Sequence, residues 1–218
     1  MNHPALTWTE DDTPVACAFD DPYFTGGPAE TRHVFLQGND LPLRLRDGFH
    51  VAELGFGTGL NLLALAQACS GVGAVRFTSF EAYPLAAPDM ARALAPFALP
   101  NTESLVAQWS RATGPVHDLT LGAIEARILI GDARLTLPLW DGSADAWFLD
   151  GFAPARNPEL WDPALLVEVA RHTARGGTCA TYTAAGHVRR SLQAAGFEVV
   201  RRPGYGRKKH MTTGRMPA

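Results

Sequence analysis

The stretch His50-Val51-Ala52-Glu53-Leu54-Gly55-Phe56-Gly57-Thr58-Gly59-Leu60-Asn61-Leu62-Leu63-Ala64-Leu65 restricts the fold more than any other part of the chain. It reads as an apolar strand, three glycines at alternate positions, and an apolar helix. Glycine allows a tight turn and close approach of a ligand, because no Cβ stands in the way. The start of the following helix presents unpaired N–H groups. Such a strand–turn–helix belongs to an α/β sheet and marks a nucleotide-like cofactor site.

Spacing and charge then select among cofactors. The dinucleotide fingerprint is Gly-x-Gly-x-x-Gly. Here Gly55, Gly57 and Gly59 alternate, and Leu60 stands where the last glycine would be. Glu53, two residues ahead of Gly55, would repel a pyrophosphate and attract an ammonium or a sulfonium. S-adenosylmethionine carries both cations and no phosphate, so it is the expected ligand of Glu53 and of the turn Gly55, Phe56, Gly57, Thr58 and Gly59. Fingerprint spacing varies, and a nicotinamide or flavin cofactor is the alternative.

Further acids fall at the ends of expected strands. Val75 to Phe80 reads as a strand ending at Glu81, about 20 residues after the turn, where a carboxylate accepts from ribose hydroxyls. Ala126 to Ile130 runs into Gly131-Asp132. Asp132 is placed either to accept the adenine amino group or to cap the next helix. Asp145 to Leu149 is an apolar strand that delivers Asp150 at its carboxyl end, followed by Gly151-Phe152-Ala153-Pro154. Ligands of open α/β sheets bind beyond such strand ends. Ahead of the glycine turn, Glu30 to Leu36 and Leu41 to Leu45 read as two short strands of a hairpin around Gln37-Gly38-Asn39-Asp40.

The chain has 218 residues, enough for a sizeable core. No apolar run reaches the ~18 residues of a membrane span, and Met1 to Pro4 does not open a signal peptide. A cytoplasmic protein with no membrane association is therefore expected. Cys17, Cys69 and Cys179 lie far apart and read as reduced residues. The seven histidines show no metal-ligand spacing, so no metal site is expected. The net charge of −3 is uneven: residues 171–218 hold ten Lys/Arg and one acid (+9), residues 1–170 nine and 21 (−12). The basic end suggests an anionic partner. It contains Arg189-Arg190 on a helix and Tyr205-Gly206-Arg207-Lys208-Lys209 in a hairpin turn, a mixture suited to phosphate pairing and base stacking.

Taken together, Glu53-x-Gly55-Phe56-Gly57-Thr58-Gly59-Leu60-Asn61, the string Phe148-Leu149-Asp150-Gly151-Phe152-Ala153-Pro154-Ala155-Arg156-Asn157-Pro158-x-x-Trp161, and Gly204-Tyr205-Gly206-Arg207-Lys208 resemble one family. It is the tRNA 5-aminomethyl-(2-thio)uridine methyltransferases, which occur alone or as the N-terminal half of a bifunctional tRNA-modification protein. The likeness runs from about Asp21 to Gly214. It implies a class I S-adenosylmethionine-dependent fold, Rossmann-like, with a seven-stranded, mostly parallel sheet whose last strand is antiparallel. Residues 1–218 then form one methyltransferase domain, an N-terminal hairpin extension (1–47) ahead of the core (48–218). The implied reaction methylates the amine of 5-aminomethyl-(2-thio)uridine at the anticodon wobble position. A small-molecule amine as acceptor is the alternative. The bifunctional members carry an FAD-dependent oxidase half, so the implied partners are the tRNA anticodon loop and a separate oxidase acting earlier. Asp150 would accept a hydrogen of the substrate amine and orient its lone pair, with Phe152 stacking on the uracil. Glu53, the 55–59 turn, Asn61, Glu81, Asp132 and Asp150 would hold the cofactor. Arg189, Arg190, Arg207, Lys208 and Lys209 would meet tRNA phosphates, with Tyr205 available to stack.

Overall fold

A computed structural model describes residues 3–218. Three short strands come first: β1 (Leu6–Trp8), β2 (Pro14–Ala16) and β3 (Asp21–Pro22), antiparallel with β2 in the middle. Helix α1 (Gly27–Thr31) follows. Then come β4 (His50–Leu54), α2 (Leu60–Ala68), β5 (Val75–Glu81), α3 (Ala87–Leu94) and α4 (Thr102–Trp109). A hairpin of β6 (Val116–Leu121) and β7 (Ile124–Ile130) leads to α5 (Ala133–Thr136) and β8 (Ala144–Leu149). The chain ends with α6 (Pro163–Arg171), β9 (Thr173–Thr181), α7 (Gly186–Ala194), β10 (Glu198–Pro203) and β11 (His210–Arg215).

The main sheet has the order β10-β11-β9-β8-β4-β5-β7-β6. Strands β9, β8, β4, β5 and β7 are parallel, and β11 runs against both of its neighbours. The sheet has eight strands, not the expected seven. The extra one is β6, which folds back on β7 and closes the sheet edge with alternating burial. β4 is buried on both faces because helices cover both sides of it. Its Val51 packs in the core cluster shared with α2 (Leu62, Leu63). Ala52 and Leu54 pack in the opposite cluster, with Trp147, Leu166 and Val188.

The hairpin expected over 30–45 is not formed. α1 continues instead into a wide helical turn, Arg32–Leu36, and a tight one, Gln37–Asn39. Glu30, Thr31, Val34, Phe35, Gly38 and Asn39 are all buried, a spacing that belongs to one helical face and not to a strand. Burial of that face against α2 and β9 overrides the β-branched, aromatic composition that favours strand. Arg175-Gly176-Gly177 lies inside β9, where pairing with β8 slips between Ala144 and Ala146.

Candidate active site

The order β8-β4-β5 reverses the direction of chain progression at β4, so a crevice opens above the carboxyl ends of β4 and β8. A cavity of about 410 Å³ fills it. One end is lined by Gly55–Thr58, Glu81, Asp132 and Tyr23, which packs against Gly57; the other by Phe19, Glu30, Phe152, Tyr182 and Lys208. Asp150 and Asn61 lie on its wall as well.

The turn adopts the backbone that only glycine tolerates well. Gly55 has φ +81°, and a Cβ there would stand 3.2 Å from the carbonyl oxygen of Asp150. The β4 turn therefore packs backbone to backbone on the β8 turn. Glu81, at the end of β5, accepts from the amide of Gly57 (2.8 Å) and from that of Tyr83 (2.6 Å), and burial raises its pKa. A carboxylate thus already takes a turn amide that a pyrophosphate would use, and its charge repels one. The residues fit a ribose-bearing, phosphate-free cofactor.

Glu53 is not at the cavity surface. It is fully buried behind the turn, and burial pushes its carboxyl well above the usual range. Its oxygens accept from Ser79 Oγ (2.7 Å) and Asn61 Nδ2 (2.9 Å). The direct attraction of a sulfonium expected of Glu53 therefore gives way to an indirect role. Asn61 carries it: Nδ2 also donates to Asp150 Oδ2 (2.8 Å), and Oδ1 accepts from Thr31 Oγ1 (3.0 Å). Both amide hydrogens are committed to carboxylates, so the Asn61 side chain has one orientation. Of the turn itself, Gly55, Phe56, Gly57 and Thr58 line the cavity, whereas Gly59 lies beneath it and caps α2.

Of the two expectations for Asp132, the structure shows the cap. Asp132 caps α5 by accepting from Arg134 N (2.9 Å), pairs with the Arg134 guanidinium, and lines the cavity. Asp150 accepts from Asn61 and from the amide of Gly151 (2.8 Å). Burial raises its pKa to about 6, against the pull of those hydrogen bonds. The Phe152 ring lines the cavity, stacks on Phe19 (centroids 4.5 Å apart, planes at 22°) and meets Tyr23 edge-on. One of its faces is thus covered by the N-terminal segment.

The basic residues divide. Arg190, Arg207 and Lys209 are exposed. Arg189 is half-buried, with Nε enclosed. Tyr205 packs against Gly26 and tilts over His33. Lys208, expected at a phosphate, points into the cavity instead. Its Nζ donates to Glu30 (2.8 Å) and lies 4.1 Å over the Tyr182 ring. Phe19, Tyr23, Glu30 and Tyr182 are the site residues that sequence reasoning missed. The carboxylate of Asp21, which accepts from the amide of Ala153 (2.7 Å), ties the first two to the β8 turn. In sequence, Asp20-Asp21-Pro22-Tyr23-Phe24 reads only as a turn. Among the described residues no cluster of three metal-ligating side chains occurs, and no helix is long and apolar enough to cross a membrane.

Comparison with known proteins agrees with this architecture. A family model described as S-adenosyl-L-methionine-dependent methyltransferase matches residues 98–217. The chain is 46% identical over 229 residues to the tRNA 5-methylaminomethyl-2-thiouridine biosynthesis bifunctional protein MnmC of Pseudomonas aeruginosa (strain UCBPP-PA14), covering 98% of this chain. It is 45% identical to the protein of the same name from strain PAO1. The chain spans 35% of the length of each of these relatives. The crystal structure of MNMC2 from Aquifex aeolicus superposes with a TM-score of 0.74 at 24% identity, covering all of this chain and 73% of the other.

Proposed function

The chain belongs to the S-adenosyl-L-methionine-dependent methyltransferases, and from that premise we propose that it methylates the amine of 5-aminomethyl-(2-thio)uridine at the wobble position of tRNA. The observation that carries this reading is Asp150, an acid fixed by Asn61 and Gly151 N where the cofactor end of the cavity meets its aromatic end. The two relatives from Pseudomonas aeruginosa, named for 5-methylaminomethyl-2-thiouridine biosynthesis, agree with it.

S-adenosyl-L-methionine supplies, when bound, a methyl group on a sulfonium. The turn Gly55–Thr58, Glu81 and Asp132 would hold it, with Glu81 accepting from the ribose and Asp132 from the adenine amino group. Glu53 and Gly59 support that turn from behind. The acceptor must be a neutral amine, and alkylammonium groups titrate near 10, far above Asp150. Asp150 is thus too weak a base to strip the ammonium completely. It would accept one N–H of the neutral amine and aim the lone pair at the methyl group that the sulfonium supplies, and the proton of the resulting ammonium would leave to water. Phe152, backed by Phe19, excludes water beside it. Arg190, Arg207, Lys209 and Arg189 offer charge to the RNA backbone, and Tyr205 a ring. An FAD-dependent oxidase that acts earlier on the same nucleoside completes the proposal.

The test is incubation with labelled S-adenosylmethionine and tRNA from cells that lack this methylation, followed by nucleoside analysis. Label in 5-methylaminomethyl-(2-thio)uridine supports the reading. Label only in free amines added without tRNA overturns it.

A further inference from the structure

The run Arg207-Lys208-Lys209 resembles a uniform phosphate clamp in sequence, yet its middle residue is turned away from its neighbours. Arg207 and Lys209 are exposed, while Lys208 enters the cavity. Its partners are themselves fixed. Glu30 is buried, and its second oxygen accepts from Gly26 N (2.9 Å) and Thr25 Oγ1 (3.0 Å). The Tyr182 hydroxyl donates to the carbonyl of Gly151 (2.8 Å), the residue after Asp150. The ammonium is thereby held between α1 and the turn that carries Asp150.

We propose that Lys208 contacts the substrate inside the cavity, donating to a carbonyl oxygen of the nucleobase whose amine sits at Asp150. This rests on the tRNA reading above. An ammonium has three donors. One goes to Glu30 and one faces the Tyr182 ring, which leaves one for an acceptor in the cavity. In a pyrimidine with an aminomethyl group on C5, the C4 carbonyl is the next substituent on the ring. With the amine at Asp150, that oxygen is the acceptor nearest to hand. A phosphate is the poorer guest, because the Glu30 carboxylate beside Nζ repels it. Among the described residues lining the cavity the only other cation is Arg134, which is committed to Asp132 at the cofactor end. Glu30 is the positioning residue, acting through Lys208.

The experiment is steady-state kinetics on the substrate tRNA across a series of salt concentrations, with calorimetric binding of S-adenosylmethionine as the control for folding. Lys208→Met should lower kcat at saturating tRNA about tenfold or more, because a hydrogen-bonding site loses its donor. It should leave the slope of log KM against log salt as in the wild type, and cofactor affinity within about twofold. Lys208→Gln, which keeps a donor, should recover part of the loss. Glu30→Gln should lower kcat less than Lys208→Met, again with the slope unchanged. The inference is overturned by an unchanged kcat in Lys208→Met, by a flatter salt slope in that variant, or by no recovery in Lys208→Gln. Failure of the wild type to methylate the tRNA defeats the parent reading instead, so the two failures are distinct.

Discussion

The two ends of the cavity are assembled in opposite ways. Apart from Asp132, the cofactor end joins groups that are near in sequence: Gly57 and Glu81 are 24 residues apart, Asn61 and Glu53 eight. Each pair lies within one strand–helix–strand unit, so the unit makes the site as it forms. The substrate end joins distant groups: Glu30 to Lys208 across 178 residues, Asp21 to Ala153 across 132. It exists only when the N-terminal segment docks on both the β8 turn and the β10–β11 hairpin. A site of the first kind is set by backbone geometry, one of the second by side chains that meet late. Variants should therefore separate: changes at the first end act on cofactor affinity, changes at the second on turnover and tRNA.

The largest effect tests where the two ends meet. Asp150→Ala should lower the single-turnover methylation rate by about 10²- to 10⁴-fold. If cofactor affinity fell equally, Asp150 would belong to the cofactor end alone. Next, Gly55→Ala should weaken S-adenosylmethionine binding at least about tenfold in calorimetry, since a non-glycine residue in left-handed backbone costs about 1–2 kcal/mol and the new Cβ presses on Asp150. A lost tRNA affinity with normal cofactor binding would break the division. The pH profile supplies a third test. Asp150 has its pKa raised to about 6, and the ionised form is the one that accepts the amine hydrogen. The neutral-amine requirement alone makes activity fall about tenfold per pH unit below about 10; below pH 6 the loss of ionised Asp150 should steepen the fall to about a hundredfold per unit, and Asp150→Asn should remove that added steepness.

Two smaller effects sharpen the other end. Phe19→Ala removes the ring stacked on Phe152, an interaction worth about 0.5–1.5 kcal/mol, and should raise the KM for tRNA several-fold without moving cofactor affinity. Arg207→Ala combined with Lys209→Ala should flatten the salt dependence of tRNA binding by about two ion equivalents at most, measured by filter binding. An unchanged slope would return both side chains to the solvent-exposed surface.

The same division explains what was legible in the chain. Strand β4, the glycine turn, Glu81, Asp132 and Asp150 announce themselves because backbone conformation and strand ends leave short-range marks. Residues 30–36 read as a strand and 37–40 as a hairpin turn because the composition is β-like, while the buried face repeats with helical spacing. The edge that β6 closes has no short-range mark, because it follows from which side of the sheet β7 joins. Glu53 looked like a ligand because its position is right; only packing shows that Ser79 and Asn61 already use both of its oxygens.

By itself, then, the sequence determined a parallel α/β sheet, a glycine turn of nucleotide-site type at Gly55–Gly59 with an acid ahead of it, and an acid at the end of β8, because each depends on local backbone and on charge within a few residues. The tertiary structure alone decided that Phe152 is backed by Phe19, that Glu53 acts through Asn61, and that Lys208 turns inward while Arg207 and Lys209 do not. Those outcomes depend on which distant surfaces meet, and desolvation and hydrogen-bond partners at that meeting have no short-range signature in the chain.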